Sequence, residues 1–285
     1  MAEKINVGYI GLGNIGKPSA RHLIGDSYQA HVYDVYQPAV DELVELGAHG
    51  CASPAELARA CVQIGICVRD DSQVEDLLYA ESGLLENAAA GTIIAIHSTV
   101  TQAGILKWAA DAQAKQIKLI DAPITGGASG AEAASLCYMV GGDEATVAAA
   151  SPVFETSADK VVHAGVLGTG IILKLCNNLI TYAEFMAMSE APRLAEAGGL
   201  SAEVLREVGK ANGVINESMY KFASNRNALA QNCSEEQMEE FFGPFGRLGE
   251  KDLDCALQSA SDLGISLPST ASLRKDVYNL FMNKA

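Results

Sequence analysis

Basic residues are scarce in this chain. Its 285 residues carry 20 Lys and Arg against 35 Asp and Glu, for a net charge of -15. Phosphodiester backbones are held by clustered cations, so nucleic acid is excluded as a partner class, and an anionic membrane surface with it. Any anionic ligand has to be captured by a local site rather than by a positive field. Long apolar runs are missing too, and none has the length needed to cross a bilayer. Repeats and low-complexity tails are absent. Aromatics make up only 6%, with a single Trp, but 49% hydrophobic residues suffice for ordinary globular cores. The length predicts two domains.

Paired cysteines and histidines are also lacking. The seven cysteines (51, 61, 67, 137, 176, 233 and 255) show no CxxC spacing, and their odd number excludes complete intrachain pairing. Reduced thiols in the cytoplasm are expected. The opening MAEKINVGYI runs from a charged pair directly into strand-like sequence, which predicts no secretory leader. The five histidines (22, 31, 49, 97, 163) are scattered singly, none reading as paired with a His or Cys at ligand spacing. No dedicated metal site is expected.

What is present is an alternation. Residues 5–10, 30–34, 62–68, 92–98, 117–123 and 135–141 read as apolar strands. Stretches 15–25, 38–46, 54–60, 73–80 and 101–115 between them have helical apolar spacing. Such alternation predicts an α/β domain with a mostly parallel sheet covered on both faces. Around residue 165 the pattern changes, and no strand is expected after Val162. A long helical run over 168–198, in which Pro192 threatens a kink, leads to helices near 201–212, 216–229, 235–242, 250–264 and 269–283. The expected division is 1–164, a Rossmann-type dinucleotide-binding domain, and 165–285, an all-α substrate and oligomerisation domain, joined by the long helix.

The sequence Gly11-Leu12-Gly13-Asn14-Ile15-Gly16 follows the first strand and opens a helix. In a dinucleotide-binding turn the first glycine makes the bend and the second admits a pyrophosphate to the backbone. The third allows helix and strand to pack closely. Asp34 ends the second strand about twenty residues on, where a carboxylate receives ribose hydroxyls. A 2′-phosphate there would meet like charge, and Val35-Tyr36 offers no cation. The cofactor predicted is NAD in preference to NADP.

Lys174 lies between Leu173 and Leu175 in the long helix, with Asn178 one turn later on the same face. Snorkelling to solvent is the plain explanation of such a lysine. The other is proton transfer, since an apolar setting disfavours the ammonium form.

Three further motifs follow the glycine loop in order: DAPITGG (121–127), GTGIILKLCNN (168–178) and EKDLDCAL (250–257). Together they resemble the β-hydroxyacid dehydrogenase family over essentially the whole chain. That family includes 3-hydroxyisobutyrate dehydrogenase and tartronate semialdehyde reductase, with 6-phosphogluconate dehydrogenase more distant. The resemblance implies interconversion of a small 3-hydroxy carboxylate and its semialdehyde or keto acid. It gives Lys174 the part of general acid/base and Asn178 that of positioning substrate and lysine. Thr125, Gly126 and Gly127 match a Ser-Gly-Gly turn that holds the substrate carboxylate, Thr125 replacing the usual Ser. Lys251 matches a lysine near both substrate and nicotinamide. Val68, Arg69 and Thr99 fall in loops that line the cofactor, although Arg69-Asp70-Asp71 is more charged than usual. Phe241, Phe242, Phe245 and Arg247 are candidates for shaping the pocket, Arg247 for a second carboxylate. A homodimer or homotetramer is expected. Two other readings stand beside this one: a catalytically silent NAD-binding protein, and a decarboxylating dehydrogenase of a phosphorylated sugar acid. The second usually carries a histidine in the lysine motif, and GIILKLCNN has none.

Overall fold

The computed structural model describes residues 4–284, in two compact units that divide between Lys174 and Leu175. In the first unit, β1 (Ile5–Ile10), α1 (Gly16–Arg21), β2 (Tyr28–Tyr33), α2 (Gln37–Glu45) and β3 (His49–Gly50) come first. Next are α3 (Pro54–Ala60), β4 (Gln63–Ile66), α4 (Asp71–Tyr79), α5 (Leu84–Asn87), β5 (Ile93–Ile96) and α6 (Gln102–Ala114). The unit continues through β6 (Lys118–Asp121), β7 (Ile124–Thr125), α7 (Gly127–Glu132), β8 (Leu136–Gly141), α8 (Glu144–Phe154) and β9 (Ala158–Gly165). The strands form one sheet in the order β3-β2-β1-β4-β5-β6-β8-β7, with β9 beside β8. The first six are parallel, in the order of a doubly wound dinucleotide-binding sheet. The turn into β8 makes β6–β8 and β7–β8 antiparallel, while β9 returns parallel to β8.

Parallel strands covered on both faces should be apolar throughout, and β4 and β5 are buried along their whole length. Ile64, Ile66, Ile94 and Ile96 join Leu57, Val74, Ile105 and Trp108 in one core, while Ile93 and Ala95 belong to another. Val7, Val32, Val40 and Leu43 belong to a third core. β9 was not expected. Among the described residues it pairs with β8 alone, mixes exposed with half-buried positions, and so lacks the apolar run by which a strand is recognised. β3, a two-residue strand, is too short to show a period.

α9 (Thr169–Ala197) starts in the first unit and carries Lys174 as that unit's last residue. Pro192 does not divide it. From Leu175 onward the second unit is helical: α10 (Ala202–Ala211), α11 (Glu217–Ala230), α12 (Glu235–Asp262) and α13 (Pro268–Phe281). The expected break between 242 and 250 is absent, and α12 runs through Gly243-Pro244 without interruption. Packing explains this. A side chain at Gly246 would strike Tyr278, and one at Gly249 would stand 3.0 Å from Val277, so this glycine-lined face lies close against α13. Burial along that seam outweighs the hydrogen bond that proline removes. Tyr182, Phe185, Phe242, Leu273 and Phe281 fill the core of the unit. No helix among the described residues is long and apolar enough to cross a membrane.

Candidate active site

The turn between β1 and α1 is built by the requirements of its three glycines. Gly11 has φ +91°, and a Cβ on it would stand 2.2 Å from the Cys67 carbonyl oxygen. A Cβ on Gly16 would lie 1.8 Å from the Gly11 carbonyl oxygen, so this glycine lets the helix start press on the turn. At Gly13, nothing lies within 4 Å of an added Cβ. The protein itself makes no demand for glycine at that position, while backbone approach by a bulky anion would.

Asp34 follows β2. One carboxylate oxygen accepts the Leu12 N–H at 2.5 Å and the other the Tyr36 N–H at 2.7 Å, which fixes the carboxylate beside the glycine turn. A cleft of about 580 Å³ opens there, lined by Gly11, Gly13, Asn14, Ile15, Gly16, Asp34, Cys67, Val68 and Arg69, among others. Its size suits a nucleotide. Leu12 has its side chain in the core and contributes its N–H. Thr99, half-buried after β5, is not among the lining residues; its neighbour Ser98 accepts the Val68 N–H at 2.9 Å, tying the two strand ends together. The charged run after β4 divides its labour. Asp70 caps α4 through the Gln73 N–H, and Asp71 accepts the Thr101 hydroxyl at 2.6 Å, which leaves Arg69 facing the cleft.

A buried carboxylate that sequence reasoning did not single out anchors the helix of Lys174. Asp121, at the end of β6 and fully buried, accepts the Gly168 N–H at 2.8 Å and the Ile171 N–H at 2.7 Å. Burial raises its pKa, and the N–H donors oppose that rise. Gly141 and Gly170 make the approach possible, since a Cβ on either would strike Asp121. Lys174, half-buried, follows Ile171 by one turn. Burial pushes the Cys67 thiol up to about 11, and the Lys174 charge is near enough to oppose it. Cys67 lines the nucleotide cleft, so the charge of Lys174 is felt at a residue of that cleft.

Downstream of Asp121, β7 ends at Thr125, which is half-buried, and Gly126 and Gly127 follow with φ of +126° and +66°. Side chains rarely adopt such backbone, and nothing lies within 4 Å of an added Cβ at Gly127. The turn requires glycine by its backbone, and at Gly127 it is open, as at Gly13.

In the helical unit a second buried carboxylate gathers side chains. Asp252 accepts the Asn178 amide at 2.7 Å and the Tyr182 hydroxyl at 2.9 Å on one oxygen, and its other oxygen lies 2.9 Å from Lys251 Nζ. Burial and the Asp252 charge both push the Tyr182 phenol far up. Neither Asp252 nor Tyr182 was foreseen, although Asp252 is one of three acids in the EKDLDCAL motif. Among the pocket candidates, Arg247 pairs with Glu239, Phe242 is buried in the core, and Phe241 and Phe245 remain exposed.

Residues 6–165 match the family model described as the NAD binding domain of 6-phosphogluconate dehydrogenase. Residues 168–283 match the one described as NAD-binding of NADP-dependent 3-hydroxyisobutyrate dehydrogenase. The chain belongs to the β-hydroxyacid dehydrogenase family. It is similar to the NAD-dependent L-serine dehydrogenase of Pseudomonas aeruginosa, 31% identical over 98% of this chain and 92% of that protein. It is also similar to the 2-hydroxy-3-oxopropionate reductase of Escherichia coli, 32% identical over 95% and 89% of the two chains. Among solved structures, the 3-hydroxyisobutyrate dehydrogenase of Mycobacterium tuberculosis with L-serine superposes with a TM-score of 0.82 at 26% identity, over 99% of this chain and 94% of that one. The chain therefore carries the NAD(P)-binding domains of an oxidoreductase family.

Proposed function

We propose that this chain is an NAD-dependent oxidoreductase interconverting a small 3-hydroxy carboxylate and its semialdehyde or keto acid. The observation that carries the reading is Lys174: a lysine on a helix anchored by Asp121, with its charge felt at Cys67 in the nucleotide cleft. Residues 1–164 serve the cofactor and 165–285 the substrate and assembly.

The open Gly13, the tight Gly11 and Gly16, and the fixed Asp34 carboxylate fit a dinucleotide. Gly11 to Gly16 receive the pyrophosphate, Asp34 the adenosine ribose, and Val68, Arg69, Thr99 and Lys251 complete the cofactor contacts. Asp34 favours NAD, since a 2′-phosphate would confront a carboxylate, and the exposed Val35 and Tyr36 bring no cation. Held by these residues, the cofactor would supply hydride exchange at the hydroxylated carbon. Lys174 Nζ takes the hydroxyl proton during oxidation and gives it back during reduction. Asn178, oriented by its bond to Asp252, positions the substrate beside Lys174. The Thr125 hydroxyl and the N–H groups of Gly126 and Gly127 hold the substrate carboxylate, and Lys251 adds a positive charge for it.

Seven cysteines, none disulfide-bonded, support a cytoplasmic location. Exposed Ile180, Leu194, Val204 and Val208 on the helical unit support a homodimer or homotetramer.

The test is NADH formation across 3-hydroxyisobutyrate, glycerate, L-serine, 4-hydroxybutyrate and 6-phosphogluconate, with NADP in place of NAD as the control. Turnover of a small 3-hydroxy acid with NAD is expected. Oxidation of 6-phosphogluconate alone would move the chain to the decarboxylating branch. NAD binding without turnover of any acid would make it a silent cofactor-binding protein, and preference for NADP would overturn the part given to Asp34.

A further inference from the structure

A cluster of soft and borderline ligands sits at the β3 edge of the sheet. His31 on β2 and His49 on β3 are directly paired in parallel register, so their side chains emerge on the same face. Cys51 lies two residues beyond His49 and points the same way, held by its N–H to the Val32 carbonyl at 2.9 Å. The intervening Gly50 faces the other side, where an added Cβ would stand 3.0 Å from Val40 and Val44 of α2. The three candidate ligand atoms lie within 4.8 Å of one another. His31 and Cys51 are buried, and His49 is exposed.

Two details separate this cluster from ordinary core packing. The His31 ring has one hydrogen-bond-range contact among the described residues, Nδ1 to Cys51 Sγ at 3.9 Å. A thiol is a weak hydrogen-bond partner for an imidazole nitrogen. Second, a carboxylate is on hand. Glu56, on the first turn of α3, accepts the Ala52 N–H at 2.8 Å through one oxygen, and its other oxygen lies 3.6 Å from His49 Nε2.

We propose that His31, His49 and Cys51 bind a divalent transition-metal ion of the Zn²⁺ type, with Glu56 at the fourth position. Two imidazoles, a thiolate and a carboxylate form a tetrahedral donor set of the kind Zn²⁺ takes. With metal–ligand bonds of about 2.0–2.3 Å, tetrahedral ligands stand roughly 3.3–3.8 Å apart, so the three clustered ligand atoms, within 4.8 Å of one another, have little more than about 1 Å to close, and Glu56 already stands 3.6 Å from His49. The Cys51 thiol releases its proton to solvent on coordination, and no other bond changes. The ion pins the short edge strand β3 and the start of α3 to β2, three residues before Asp34. Its role is structural support for the cofactor side of the sheet, separate from the chemistry at Lys174.

The experiment is titration of the chelator-stripped full-length protein with Co²⁺, read by the thiolate-to-cobalt charge-transfer absorption, followed by displacement with Zn²⁺. One equivalent with a strong charge-transfer band, removed by Zn²⁺, is expected. Cys51→Ser should abolish the band, and His49→Gln, an exposed change that leaves the core intact, should weaken binding at least about tenfold. Cys176→Ser, which changes an exposed thiol elsewhere, should leave the titration unchanged. A titration without the band, a band lost in Cys176→Ser, or unaltered binding in His49→Gln would each overturn the assignment.

Discussion

Each of the two units holds a buried carboxylate, and they are partnered in opposite ways. Asp121 accepts backbone N–H groups at the start of α9. Asp252 draws in three side chains, those of Asn178, Tyr182 and Lys251. A carboxylate bonded to backbone fixes where a helix begins, and hence where everything on that helix stands. One bonded to side chains fixes which way individual functional groups face. The first is an element of architecture and the second of alignment, so damage to them should appear in different measurements.

The largest effect is expected from Asp121→Ala. It strands two buried N–H donors and should lower the unfolding free energy by about 4 kcal/mol in denaturant titration, with Asp121→Asn losing less than half as much. Acid should strike the same unit. Burial pushes the pKa of His97 down to about 4, against the Ala122 carbonyl bond that opposes the shift. The unfolded chain binds this proton near pH 6.5, so stability is full above that pH. It falls as pH drops toward 4 and levels off below, by about 3 kcal/mol in total. His97→Gln should flatten that part of the pH–stability curve.

Asp252→Asn keeps the shape of the residue and weakens the hold on three side chains. It should reduce kcat by roughly 10²-fold through misalignment, with a smaller loss of NAD affinity through the loosened Lys251. Equal losses of stability from Asp121→Ala and Asp252→Asn would erase the distinction between the two carboxylates. The smallest effect on stability is expected at Gly13. Gly13→Ala meets open space and should change the unfolding free energy by less than about 1 kcal/mol while weakening NAD binding; Gly16→Ala should damage both.

The same contrast explains what could be read from residues alone. The glycine turn, Asp34, the long helix and five of the six strands of the parallel run (β1, β2, β4, β5 and β6) all rest on local patterns or fixed spacings, and each was legible; the order of the strands was not. Asp121 and Asp252 were not, because their importance depends on what approaches them from elsewhere in the chain. β9 escaped because an edge strand half-open to solvent has no apolar run, and β3 because two residues carry no period. The unbroken α12 defied its Gly243-Pro244 pair because α13 packs on its glycine-lined face. The gathering of His31, His49 and Cys51 was likewise hidden, since strand pairing brings His31 to the other two.

Among all these tests, the most direct is a comparison of Lys174→Ala with the unaltered protein on the best hydroxy acid, with NAD affinity measured on the same preparations. The account predicts that kcat falls by roughly 10²–10⁴-fold while NAD binds as before, because a proton carrier has been removed from an intact cofactor cleft. A variant that oxidises the acid at an undiminished rate would contradict it, for Lys174 would then be a surface lysine on a helix whose anchoring serves some other end.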